Sequence, residues 1–396
     1  MKNDFETVKS RYNMGSGKWN EVAASGVNYG DDVIPFSVAD MEFQTASEIK
    51  EALKSFIDEN VLGYANPTDE FKQSVCNWMK KRHGWDAKPE WILPSHGVVD
   101  AFYDAVRAYT KVGEGVMLMT PVYYPMYTAI NKNNRILIDT KLIIKGTSYE
   151  IDFEDFEAKA SDENTKLLIL CNPHNPCSRV WRREELEKIS RICNENNVLV
   201  VSDEIHFDLV MPGYKHIVYA TISEEAANNC IVCTAPSKTF NLAGLQTSSL
   251  LIPNSELRKI FHDYQLLGAA NPKCNILGYK ACQAAYDQCE GWLDEVIRVI
   301  ETNKNLVTDY MAKEFPQIKV MDFEATYLLW MDFNGLGIDY KELERINHKE
   351  AGLFFDEGYV FGAQGEGFER WNLACPTKYI QAGLDRMKAA YSKYVK

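Results

Sequence analysis

Cys230-Ile-Val-Cys-Thr-Ala-Pro-Ser-Lys-Thr-Phe-Asn-Leu-Ala-Gly244 is the stretch on which the fold turns. Its apolar opening reads as a buried strand. Pro236 ends the strand's hydrogen-bond ladder, and Lys238 follows where the strand gives way to small residues. A lysine there is poorly placed to solvate a surface. In a dry pocket its ammonium form is disfavoured, and the free amine becomes a nucleophile suited to Schiff-base formation with a carbonyl. An ordinary exposed lysine is the competing reading. Cys230 and Cys233 have a redox-like spacing, but residues three apart on a strand point to opposite faces, so both read as core.

Working outward, the chain from Trp91 alternates strand and helix, the pattern of a doubly wound α/β sheet. Strands are expected over 91–93, 115–119, 136–138, 166–171, 198–202, 231–234 and 248–252. Helices are expected over 100–109 and 183–195. Upstream, residues 46–59 read as a helix, and Thr68 caps another over 69–83. After Pro272 the texture changes to a long helical region, 274–315, broken near Gly291. Strand patterns at 318–321, 327–333 and 371–373 follow, with helices over 340–350 and 378–394. The expected organisation is an N-terminal arm (1–45), a large domain (46–289) and a smaller α+β domain (290–396).

In an open parallel sheet the ligand lies beyond the carboxyl ends of the strands, and the unusual residues collect there. Gly97-Val-Val99 opens a helix whose free N–H groups suit a phosphate. Tyr123 and Tyr124 follow the next strand and offer a flat face and a hydroxyl. Asn172-Pro-His-Asn-Pro176 is a turn fixed by two prolines, and its Asn175 amide can donate to a phenolate oxygen. Asp203 ends a continuous apolar strand, where an ionised carboxylate needs a cationic partner. The protonated ring nitrogen of pyridoxal phosphate is such a partner, and that cofactor is the commonest carbonyl met by a Schiff-base lysine. Late in the chain, Arg370 can bind a carboxylate bidentately or serve in an ordinary salt bridge.

Two other motifs compete and fall away. Gly15-Ser-Gly-Lys18 imitates a phosphate loop, but Trp19 stands where Ser or Thr would bind the metal, and no strand precedes it. Glu204, His206 and Asp208 would share one strand face and suit a metal, yet no second cluster of histidine and carboxylate completes a site, so no metal is expected.

Composition narrows the class further. The chain has 396 residues, 46% hydrophobic and 25% charged, enough for a large core and two domains. A net charge of -13 disfavours nucleic acid as a partner. No apolar run is long enough for a membrane span, and the first residues lack an apolar signal region. Ten cysteines scattered through apolar stretches read as reduced thiols of a cytoplasmic protein.

Taken in order, these residues resemble fold-type I pyridoxal-phosphate enzymes, the aspartate aminotransferase superfamily, and within it the cystalysin and MalY/PatB-type cystathionine β-lyases. The most specific matches are Ser37-Val-Ala-Asp-Met-Glu-Phe43, Val61-Leu-Gly-Tyr64, Thr120-Pro-Val-Tyr-Tyr-Pro125, Pro173-His-Asn-Pro176, Ser202-Asp-Glu-Ile-His-Phe-Asp208, Ala235-Pro-Ser-Lys-Thr-Phe-Asn241 and Gly367-Phe-Glu-Arg370. The resemblance implies a large, mainly parallel cofactor domain, a smaller α+β domain, and a homodimer with its active site at the subunit interface. It implies that Lys238 carries the cofactor, Asp203 pairs with the pyridine nitrogen, Asn175 meets the ring hydroxyl oxygen and Tyr123 stacks on the ring. Gly97, Val98, Val99 and Ser237 would hold the phosphate, with Tyr64 reaching in from the second subunit. Arg370 would take the substrate carboxylate, beside Ala39 and Tyr64, and Tyr123 or Tyr124 would protonate the departing sulfur or tune Lys238. His206, beside the cofactor, stands where many aminotransferases place tyrosine, which favours a lyase. The implied reaction is C–S β-elimination from cystathionine or cysteine-like amino acids to a thiol, pyruvate and ammonia, with transamination as the alternative. Two positions depart from the pattern: His96 before Gly97, and Cys177-Ser178 after Pro176.

Overall fold

The computed structural model describes residues 3–26, 35–268 and 273–394. Part of the expected N-terminal arm and the expected change of texture at Pro272 therefore lie outside the described residues. Eight strands form one sheet: β1 (Ile92–Ser95), β2 (Gly115–Thr120), β3 (Ile136–Lys145), β4 (Ser148–Ile151), β5 (Thr165–Cys171), β6 (Leu199–Asp203), β7 (Cys230–Thr234) and β8 (Ser248–Leu251). Their order is β1-β8-β7-β6-β5-β2-β3-β4. The run from β7 to β3 is parallel, while β8 lies antiparallel to both β7 and β1. The central parallel strands β2, β5, β6 and β7 are buried on both faces because helices cover both. On β7, Cys230 and Val232 enter one core cluster and Ile231 and Cys233 the other, so the two cysteines do face opposite ways.

A second, antiparallel sheet takes the order β11-β12-β10-β9, built from β9 (Lys319–Val320), β10 (Leu328–Asp332), β11 (Asp356–Glu357) and β12 (Phe368–Asn372). Arg370 lies on β12, opposite Trp330 on one side and Asp356 on the other. All ten cysteines are free thiols, and all are buried. Among the described residues no helix is long and apolar enough to cross a membrane.

Several expectations need correction. The strand expected over 136–138 runs on to Lys145 and turns at Gly146 (φ 66°) into β4. This hairpin lies at the sheet's edge and is largely exposed, so its polar residues hid the strand pattern. A helix at Ser255–Gly268 had no counterpart in the sequence reading. The long helical region breaks at Cys289, and Gly291 lies inside the helix Glu290–Glu314. Residues 340–350 divide into an α-helix, Tyr340–Arg345, and a π-helical turn, Ile346–Ala351. The helix expected from residue 100 starts two residues earlier, as Val98–Tyr109. Strand β6 ends at Asp203, and tight turns follow, closed by Phe207 N–H to Glu204 O (3.0 Å) and Leu209 N–H to His206 O (2.9 Å). Glu204, His206 and Asp208 therefore do not share a strand face.

Candidate active site

The parallel strands place their last residues in register along one edge of the sheet: Cys171 pairs with Asp203, and Asp203 with Cys233. Beyond that edge lies a cavity of about 260 Å³. Ala39, Tyr123, Asn175, Asp203, His206 and Lys238 line it, together with Ser237 and the helix start Gly97–Val99.

Lys238 borders this cavity and is half-buried along its length. Its amine donates to the carbonyl of Ala39 at 2.6 Å. Desolvation pulls the amine's pKa down to about 8, with Arg370 adding to the effect and Asp40, Asp203 and Asp356 opposing it. The carboxylate of Asp203 is buried and accepts a hydrogen bond from the N–H of Ile205 at 3.2 Å. Burial pushes its pKa up to about 7.

His206 is buried edge-on to Tyr327, with ring centroids 5.9 Å apart, and its Nδ1 has no partner. Burial, with Lys238 and Arg370 near it, holds its pKa well below the usual range, so the ring is neutral. At the opposite pole the helix Val98–Tyr109 starts without a side-chain cap, leaving its first N–H groups open toward the cavity. Tyr123 and Tyr124 stand 5.3 Å apart, and burial raises the pKa of both phenols.

Arg370 does not line the cavity but is tied to it. Its Nη1 donates to Asn175 Oδ1 at 2.9 Å, its Nη2 to Asp356, and its guanidinium lies 4.6 Å from the ring centre of Phe361. Its Nε is buried with no partner. The structure thus gathers most of the expected site residues around one space, with Arg370 tied to it through Asn175. Tyr124 and Tyr64 do not line the cavity: Tyr124 is partly exposed beside Tyr123, and Tyr64 is fully exposed.

Four contributors escaped the sequence reading. Asp356 anchors Arg370, Tyr327 donates to Ala39 O at 2.8 Å, and Gln246 and Thr247 close the cavity wall. Asp356 and Tyr327 reach the site only through the packing of the second sheet, and Gln246 and Thr247 through the loop that continues the Lys238 stretch. Glu204 and Asp208, weighed above as metal ligands, are taken up in hydrogen bonds. Glu204 accepts from Ser202 Oγ (2.9 Å) and the Tyr219 N–H (2.9 Å) and pairs with His216 Nε2 (2.8 Å). Asp208 accepts from Trp78 Nε1 (3.0 Å) and Thr239 Oγ1 (2.8 Å), beside His83 Nε2 (2.8 Å).

Against known proteins, residues 31–387 match the family model for aminotransferase class I and II. The chain is 41% identical to cystathionine beta-lyase PatB of Bacillus subtilis (strain 168), over 98% of this chain and 100% of that one. Protein MalY of Escherichia coli (strain K12) is 30% identical over 96% of this chain and 97% of its own. The crystal structure of cystalysin from Treponema denticola, which contains a pyridoxal 5'-phosphate cofactor, superposes with a TM-score of 0.96. That pair is 45% identical and covers 99% of this chain and 100% of the other.

Proposed function

This chain belongs to the aminotransferase class I and II family, and on that premise we infer that it is a pyridoxal-phosphate-dependent C–S β-lyase. It cleaves cystathionine or cysteine-like amino acids to a thiol, pyruvate and ammonia. The likeness at 41% identity to a cystathionine beta-lyase over essentially the whole chain carries this reading.

The cavity fits the cofactor. An uncapped helix start suits a phosphate, a buried carboxylate with a backbone donor suits a cationic ring nitrogen, and an amine of lowered pKa borders the same space. When bound, pyridoxal phosphate supplies an aldehyde for amines and a ring that accepts the electron pair left on the substrate Cα.

The chain's own residues would do the rest. Lys238 would hold the cofactor at rest and, once freed by a substrate amine, remove the Cα proton; an amine with a pKa of about 8 can both accept and release it near neutral pH. Asp203 would keep a proton on the ring nitrogen. Asn175, whose Oδ1 is engaged by Arg370, keeps its amide N–H groups for the ring hydroxyl oxygen. Tyr123 would lie against the ring, and Gly97, Val98, Val99 and Ser237 would hold the phosphate. Arg370, with its Nε unpaired, would take the substrate carboxylate beside Ala39. His206 would stand neutral beside the cofactor. Tyr123 or Tyr124, protonated at neutral pH as ordinary phenols are and kept so at higher pH by burial, would give a proton to the departing sulfur.

We also place the protein in the cytoplasm as a homodimer, with Tyr64 of each chain completing the phosphate site of the other; its full exposure leaves it available for that. The division into an arm (1–45), a large domain (46–289) and a small domain (290–396) accords with two separate sheets, one on each side of residue 290.

The test is incubation with L-cystathionine in the absence of any keto acid. Pyruvate and thiol are released by the natural protein and not by Lys238→Ala. Turnover that requires an added keto acid would instead make it an aminotransferase.

A further inference from the structure

The segment that imitates a phosphate loop ends in Lys18, whose side chain is 1% exposed at the start of the helix Gly17–Ala24. A lysine so enclosed needs compensating charge. It finds Glu42 Oε1 at 3.1 Å, Asp40 Oδ1 at 3.6 Å and the Asp40 carbonyl at 3.2 Å. Arg11 grips the same pair: Nη1 and Nη2 reach the two Asp40 oxygens at 2.8 and 3.0 Å, and Nη2 also reaches Glu42 at 2.5 Å. Asn372 Nδ2 fixes the backbone from the other side, donating to the carbonyls of Val38 and Asp40 at 2.8 and 2.7 Å. Between those carbonyls is that of Ala39, which receives the Lys238 amine and the Tyr327 hydroxyl.

We propose that Asp40 is a positioning residue that supplies the counter-charge for the Lys238 nitrogen, and that Arg11 and Lys18 set how much of that charge Lys238 feels. The Ala39–Asp40 edge thus gives Lys238 a carbonyl to bind and, one residue on, a carboxylate that Arg11 and Lys18 hold in place. The other charges acting on Lys238 are Asp203 and Asp356, which favour its protonation, and Arg370, which opposes it; His206, also close by, is neutral. Of these carboxylates, Asp40 is the one that directly follows the residue whose carbonyl the Lys238 amine binds.

This inference rests on the cofactor reading above for one of its two readouts. In the loaded protein, the pH midpoint of the visible absorbance change reports the proton on the Lys238 nitrogen. In protein stripped of small molecules, the pH dependence of Lys238 acetylation by acetic anhydride, read by mass spectrometry, reports the same proton without the cofactor. Asp40→Asn is expected to lower both midpoints by roughly one pH unit. Arg11→Gln is expected to raise both, because it leaves Asp40 and Glu42 less neutralised. Opposite shifts are the signature, since mere loosening of the arm would move both variants the same way. An unmoved or raised midpoint in Asp40→Asn, or a lowered or unmoved one in Arg11→Gln, overturns the proposal. Arg11 is partly exposed, so its variant decides alone if Asp40→Asn does not fold. A natural protein with no visible band overturns the cofactor reading instead, and the acetylation series still decides this one.

Discussion

Asp203 sits where its charge is resisted, ringed by apolar strand ends and supported by a single backbone N–H. Its pKa of about 7 against an ordinary 3.8 means that, without cofactor, the folded protein keeps a proton that the unfolded chain has already released. Stability from that difference is complete below about pH 4 and is lost as pH rises through 7. Asp203→Asn removes the titration. Cofactor-free Asp203→Asn should therefore melt above the natural protein at pH 8, with the gap closing toward pH 4, in thermal scans of both proteins. The same variant should lose at least about 100-fold in pyruvate release, because an amide cannot hold a ring proton as a carboxylate does. A residue that costs stability and is needed for the reaction is the pattern expected of a functional site.

At the scale of elements, the helix Asp69–His83 shows how local chemistry writes structure. Thr68 Oγ1 accepts from the Phe71 N–H at 3.2 Å, Asp69 and Glu70 sit at its positive end, and Gly84 ends it at φ 70°. Thr68→Ala should cost about 1 kcal/mol in urea unfolding while leaving the spectrum of the bound cofactor unchanged. This helix was legible to the residue, and the central strands to within one residue at each end, because buried parallel strands leave unbroken apolar runs. The β3–β4 hairpin was not legible beyond its first residues, since an edge that meets water needs no such run. The helix Ser255–Gly268 was missed although Asn254 signals its start, its Oδ1 accepting from the N–H groups of Glu256 (2.9 Å) and Leu257 (3.2 Å), and the π-helical turn at Ile346–Ala351, closed by Gly352 (φ 63°), has the same apolar pattern as the α-helix it continues. In the site, Lys238, Asp203 and Asn175 could be read because each follows a strand or turn of distinct pattern. Asp356, Tyr327 and the Arg11–Asp40 pairing could not, because only the packing of remote segments brings them there.

For the whole molecule, the second sheet reaches toward the cavity through Arg370 of β12, which binds Asn175, and through Tyr327 just before β10, which binds Ala39. Tyr64 lies outside that space, and a second copy of the chain is the proposed source of its hydroxyl. Sedimentation should give twice the mass of the chain. Tyr64→Phe should keep that mass yet release pyridoxal phosphate more readily, by roughly tenfold for one lost hydrogen bond to a charged group, in equilibrium dialysis. The ten enclosed sulfurs bear on the molecule in a different way. While the chain stays folded they are shielded from air and from alkylating agents, and the protein needs no reductant. Once it opens, all ten meet solvent together, and mispairing between them makes the path back one that only a reducing buffer keeps open.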